Sequence, residues 1–149
     1  MKNLTWKIKT FEELSTRELH QILKVRIEVF VVEQNCPYPE IDGYDLQAIH
    51  LWAETEGEVA AYCRIFGPGL KYDESSIGRV LTNPNFRKMT LGKTLMNLAI
   101  HSVEARFRKS SIRISAQDYL LQFYSAMGFL PTGKNYLEDN IPHSEMLKP

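Results

Sequence analysis

Ile77-Gly78-Arg79-Val80-Leu81-Thr82-Asn83-Pro84-Asn85-Phe86-Arg87-Lys88-Met89-Thr90-Leu91-Gly92-Lys93 reads as a strand, a turn and the start of a helix. The strand covers Ser76 to Thr82 and stops before Pro84, which cannot donate to a sheet ladder. Beyond it Leu91, Leu95, Leu98, Ala99, Val103 and Phe107 recur at helical spacing over about four turns. The first turn of a helix carries unpaired N–H groups and a positive dipole end, which together favour a phosphate. Gly92 lets the backbone approach such a group, and Arg87, Lys88 and Lys93 add charge. Many helices begin near basic residues, so the pattern needs a second motif.

The flanking sequence supplies the other elements. Trp6 and Ile8 alternate with Lys7 and Lys9 in a short strand, and Ser15-Thr16-Arg17-Glu18 is a capping box. Leu19, Ile22, Leu23, Ile27 and Phe30 predict a helix from Thr16 to Val32. Pro37, Pro39 and Gly43 mark the stretch from Asn35 to Asp45 as a loop. Ile49 to Thr55, the Glu56-Gly57 turn and Val59 to Phe66 read as a hairpin. Ile112, Ile114 and Ala116 alternate in a further strand. A helix from Tyr119 to Met127 stops at Gly128, and short strands fall near Leu130 and from Glu145 to Leu147. The order β-α-β-β-β-α-β-α-β-β predicts an α+β fold, a mixed sheet with flanking helices, as one domain over residues 1–149.

Composition narrows the function. The 149 residues are 44% hydrophobic and 24% charged, the balance of an ordinary globular domain. There is no apolar run long enough for a membrane span and no signal-like N-terminus, so a cytoplasmic location is expected. A net charge of zero, with no block of consecutive basic residues, argues against nucleic acid as a partner. His20, His50, His101 and His143 lack zinc-like spacing with Cys36 or Cys63, so no metal is expected. The charge is unevenly spread. Arg79 to Arg113 holds eight Lys or Arg, Lys109 among them, against Glu104, whereas Glu33 to Glu58 holds seven acids and no Lys or Arg. The first region suits a polyanion and the second a cation.

The second motif is Phe123-Tyr124-Ser125-Ala126-Met127-Gly128-Phe129. Together with Arg87-Lys88-Met89-Thr90-Leu91-Gly92 it resembles the GNAT superfamily of acyl-CoA-dependent N-acyltransferases. That family's hallmark is an Arg/Gln-x-x-Gly-x-Gly/Ala loop before a Phe-Tyr-x-x-x-Gly-Phe-like helix. Arg26 to Gln34, Cys36-Pro37-Tyr38, Asp42, Asp45, His50-Leu51, Ser115-Ala116-Gln117 and Glu138 to His143 are similar to its ElaA-like branch. The resemblance spans most of the chain.

It implies a GNAT fold and transfer of an acetyl group from acetyl-CoA to a primary amine, on a small molecule or a peptide, by direct attack. Main-chain groups of Val80, Leu81 and Thr82 would pair with the pantetheine arm, and amides from Arg87 through Lys88, Thr90, Leu91 and Gly92 to Lys93 would hold the pyrophosphate. Gln117 stands where the wider family often has asparagine. Tyr124 would protonate the departing thiolate, a role that suits a phenol still protonated at neutral pH. The family is often dimeric, which allows a homodimer without favouring an interface. Thr90 replaces the first glycine of the loop; ordinary helical geometry is expected there, because a left-handed threonine costs roughly 1–3 kcal/mol.

An amine is largely protonated at neutral pH and must lose a proton before attack. The strand through Thr82 offers no acid, which leaves Glu33, Asp42, Asp45, His50, Asp139 and His143, with Glu33 and His143 favoured as the base. Alternatively the acids from Glu33 to Asp45 only attract a cationic acceptor. Cys36 could serve as a nucleophile, although no local signature supports it, and Cys63 reads as core. The rival to an enzyme is a non-catalytic acyl-CoA-binding or sensor module, and longer acyl donors remain open.

Overall fold

In a computed structural model, which describes residues 3–108 and 111–149, seven strands form one mixed sheet. Lys109 of the basic stretch and the Met1-Lys2 start lie outside the described residues. In chain order the elements are β1 (Thr5–Thr10), α1 (Thr16–Arg26), β2 (Ile49–Thr55), β3 (Glu58–Phe66), β4 (Ser75–Thr82), α2 (Leu91–Arg106), β5 (Ile112–Gln117), α3 (Leu121–Ser125), β6 (Leu130–Glu138) and β7 (Ile141–Lys148). The strands lie in the order β1-β2-β3-β4-β5-β7-β6, and among the described residues only β4 and β5 pair in parallel. Among the described residues no helix is long and apolar enough to cross a membrane.

Alternation along the central strands gives the sheet two apolar faces. On one, Leu91, Leu95, Met96, Ala99 and Val103 of α2 pack on Cys63, Ile65, Ile77, Ile112, Ile114 and Met146. On the other, Ile22 and Val25 of α1 pack with Val29 and Phe30 on Trp52, Tyr62 and Leu81. Ser15 caps α1 through the Glu18 amide at 3.0 Å, and Glu18 returns a bond to the Ser15 amide at 2.9 Å, the capping box read in the sequence. The helical run continues past α1 as a π-helical turn, Ile27–Glu33, through β-branched residues of low helix propensity.

The C-terminal strands are longer than the sequence suggests. β6 is exposed along nearly its whole length, so it lacks the alternation that marks a half-buried strand. The predicted helix after β5 is shorter, a 3-10 turn over Asp118–Leu120 followed by α3.

Candidate active site

Among the described residues β4 and β5 pair only at Ser75 with Ile112 and Ser76 with Arg113. β4 stays bonded to β3 as far as Thr82, and β5 to β7 as far as Gln117. The two strands therefore form a wedge that opens toward their C-terminal ends, and the β4 edge facing it carries the main-chain groups of Val80, Leu81 and Thr82. A bulge sits on this edge. Arg79 and Val80 oppose the single residue Cys63, and Arg79 takes a left-handed backbone, φ 50°.

The 3-10 turn Pro84–Met89 leads from the wedge to α2. The Asn83 side chain starts it, accepting from the Asn85 amide at 3.0 Å and donating to the Val59 carbonyl. Thr90, at the junction, is left-handed (φ 53°, ψ 36°), which corrects the expectation of helical geometry there. Its hydroxyl donates to the Met89 carbonyl at 2.7 Å rather than capping the helix. The first-turn amides of Leu91, Gly92 and Lys93 thus have no side-chain cap, and Arg87, Lys88 and Lys93 are exposed beside them. Gly92 faces α3, and a Cβ added there would stand at ordinary contact distance, 3.5 Å, from the Phe123 ring.

Tyr124 belongs to the α2 face of the sheet. Its ring is edge-on to Phe123 and Phe129, with centroids 5.1 and 5.9 Å away. Burial pushes the phenol up, so it is protonated at neutral pH. Among the described residues its hydroxyl has no hydrogen-bond partner, and it remains free to donate.

The opposite face carries a row formed by Gln117, His143 and Tyr136, adjacent on β5, β7 and β6. The His143 ring stacks on Tyr136. Its Nδ1 is 2.7 Å from the Ile141 carbonyl, which fixes the proton on Nδ1 in the neutral ring. Nε2 is 3.2 Å from the Glu138 carboxylate. Gln117 reaches across to Gln34, just past the π turn, and the two amides exchange hydrogen bonds of 3.3 Å. Gln34, Asn35, Cys36 and Pro37 line a cleft of about 360 Å³ with Asp139, Asn140 and Ile141 of the β6–β7 turn.

The candidates Glu33, Asp42 and Asp45 are already engaged. Glu33 receives both terminal nitrogens of Arg87, at 2.6 and 2.7 Å, and this pairing holds its carboxyl below the usual range and makes it a poor proton acceptor. Glu40, Asp42 and Asp45 are tied to Arg26, Arg64 and Arg79 at 2.6 to 3.4 Å, with Arg26, Glu40, Asp45 and Arg64 buried. Three carboxylates thus meet three guanidinium groups, so the stretch from Glu33 to Asp45 is not an open acidic surface, as the sequence had suggested. His50 is sealed in the core between the Tyr62 hydroxyl (2.7 Å) and the Asp45 carbonyl (3.0 Å), and burial lowers its pKa. The Cys36 thiol, also buried, donates to the Asp139 carbonyl at 3.3 Å. Windowed charge counting missed the arginine cluster because its cations lie outside the acidic window. A sequence signal existed nonetheless. Arg26 follows Val25 on the apolar face of a helix, and Arg64 interrupts an apolar strand, positions where a charge needs a buried partner.

Residues 18–149 match the family described as "Acetyltransferase (GNAT) domain". Protein ElaA of Escherichia coli is 35% identical over 147 residues, covering 97% of this chain and 96% of that protein. The crystal structure of that ElaA superposes with a TM-score of 0.91 at 34% identity, covering 99% of this chain and all of the other. An acyl-CoA N-acyltransferase from Pseudomonas aeruginosa superposes with a TM-score of 0.94 at 38% identity, with the same two coverages. The wedge between β4 and β5, the uncapped start of α2 and these full-length likenesses lead to one conclusion: the chain belongs to the GNAT acetyltransferase family.

Proposed function

We propose that the protein transfers an acetyl group from acetyl-CoA to a primary amine. The observation that carries this reading is the divergence of β4 from β5 beside the uncapped first turn of α2. A pantetheine arm can pair with the open edge at Val80–Thr82, while the amides of Leu91–Lys93 and the exposed Arg87, Lys88 and Lys93 receive a diphosphate. The acceptor enters through the cleft at Gln34–Pro37 and Asp139–Ile141, where the Asp139 carboxylate favours a cationic amine. Two unbridged cysteines fit a reducing, cytoplasmic setting.

The chemistry follows from the two faces of the sheet. His143 Nε2 takes a proton from the ammonium, and Glu138 then pairs with the imidazolium. The freed amine nitrogen bonds to the thioester carbonyl carbon. As the tetrahedral adduct collapses, the C–S bond breaks, the CoA sulfur takes its proton from Tyr124, and the second proton of the attacking nitrogen leaves to solvent to give the neutral amide. Both side chains exchange back to their starting states with solvent.

A non-catalytic acyl-CoA sensor is the competing reading, favoured by the absence of an acid on β4 and by the occupied Glu33 carboxylate. The test is thermal unfolding with and without acetyl-CoA, followed by CoA release in the presence of amines. Ligand at about 100 times its Kd stabilises by about 2.7 kcal/mol, several degrees for a domain of this size. A shift with turnover supports the enzyme, a shift without turnover on any amine supports the sensor, and no shift removes the cofactor assignment.

A further inference from the structure

The last residue of the π turn and the three that follow it into the loop, Glu33 to Cys36, are fastened at three points. Glu33 is held by Arg87, Gln34 by Gln117 at the end of β5, and Cys36 by Asp139 in the β6–β7 turn. Arg87 also donates from Nε to the carbonyl of Thr82, the last residue of β4, at 3.3 Å. The segment is therefore a strap tied to both arms of the wedge, and its far side lines the cleft.

The Glu33–Arg87 pair has a particular geometry. Two parallel N–H···O bonds of 2.6 and 2.7 Å join guanidinium to carboxylate, the same planar fork with which arginine grips a phosphate. The pair is also open to solvent, with side chains 44% and 38% exposed. Exposed pairs are weak enough to be exchanged, and a diphosphate brings more charge than one carboxylate. We propose that Glu33 is an internal stand-in for the cofactor diphosphate: it holds Arg87 through the same fork that a diphosphate would use, and acyl-CoA displaces it.

This rests on the acyl-CoA reading above and adds a consequence for the acceptor side. Displacing Glu33 leaves the strap with two fastenings instead of three, so filling the cofactor slot loosens one wall of the acceptor cleft. Cofactor and acceptor are then linked through a single shared segment.

The experiment is calorimetric titration of coenzyme A into the wild type, Glu33→Gln and Glu28→Gln. Glu28 is exposed on the same helical run and does not touch Arg87, so its variant controls for the loss of one negative charge. Glu33→Gln is expected to bind CoA about 2- to 5-fold more tightly than the wild type, with the gap closing in about 1 M salt. Glu28→Gln should stay close to the wild type. Hydrogen exchange at residues 34–36 of the wild type should speed up when CoA is added.

The stand-in role is overturned if Glu33→Gln binds CoA no more tightly than the wild type, or if Glu28→Gln gains as much. Slower or unchanged exchange in the strap overturns its release. A wild type that binds no CoA overturns the cofactor assignment and this proposal together, whereas a binding wild type with an unaltered Glu33→Gln overturns the proposal alone.

Discussion

Thr90 and Gly92 stand two residues apart at the start of α2, and the threonine rather than the glycine holds the left-handed backbone. A β-branched side chain at φ 53° stores roughly 1–3 kcal/mol of strain. Gly92 has no positive φ, and a Cβ would meet only ordinary contacts at 3.5 Å or more.

Thr90→Gly should therefore raise stability by about 1 kcal/mol in urea unfolding, the relief of strain outweighing the extra chain entropy of glycine. Gly92→Ala should fold normally. A Thr90→Gly protein less stable than the wild type would mean that the hydroxyl bond to the Met89 carbonyl outweighs the strain.

Arg26 is fully buried between Glu40 and Asp45. Replacing it with methionine leaves two buried carboxylates short of a cation and should cost about 3–5 kcal/mol. Arg113, paired with Glu74 and Glu145 but 22% exposed, is the comparison, and Arg113→Met should cost under about 1 kcal/mol. Denaturant midpoints of the two variants measure the difference directly, and equal losses would refute the distinction.

Acid should unfold the protein in a definite window. Burial alone would raise the Glu18 carboxyl, but the Ser15 amide and the Lys7 and Lys9 ammonium groups outweigh it and bring it from 4.5 to about 2. Burial likewise opposes Asp42, which Arg64 and Arg79 bring from 3.8 to about 2. Both folded-state values lie below the unfolded ones. The stabilisation is thus complete above the unfolded values and is lost as pH falls from about 4.5 toward about 2. Denaturant midpoints should be insensitive to these groups between about pH 5 and 7 and drop below that range, and Glu18→Gln should flatten part of the drop.

On the mechanism proposed above, Tyr124→Phe should lower kcat about 10²- to 10⁴-fold while leaving the Kd for CoA nearly unchanged, because it removes the proposed proton donor alone. His143→Gln should lower the rate for ammonium acceptors in the same range without displacing CoA. Steady-state rates paired with calorimetry check both, and a full-rate Tyr124→Phe enzyme would remove the general-acid role.

The order of strands and helices was legible because burial writes itself into the chain. Ile22 and Phe30 of the helical stripe read in the sequence reach one apolar layer, and Ile112, Ile114 and Ala116 alternate because they face the other. β6 was nearly invisible because solvent on both sides removes the need for alternation. The turn and helix start from Arg87 to Lys93 were legible, but the φ of Thr90 was not, because residue type alone does not reveal which position takes the strain. The arginine cluster required tertiary structure. Arg26, Glu40, Asp45 and Arg79 are far apart in sequence, and their pairing exists only once α1 lies across β3 and β4.

That exposed strand has a further meaning for the life of the molecule among its copies. A long open edge is an invitation to growth by strand addition, the route to aggregates. Here Pro131 offers no amide, Gly133 turns the backbone to φ 92° where the register with β7 shifts, and Lys134 places a charge on the rim. The irregularity divides the edge into two short runs, Leu130–Pro131 and Asn135–Glu138, which disfavours in-register growth of the sheet past β6.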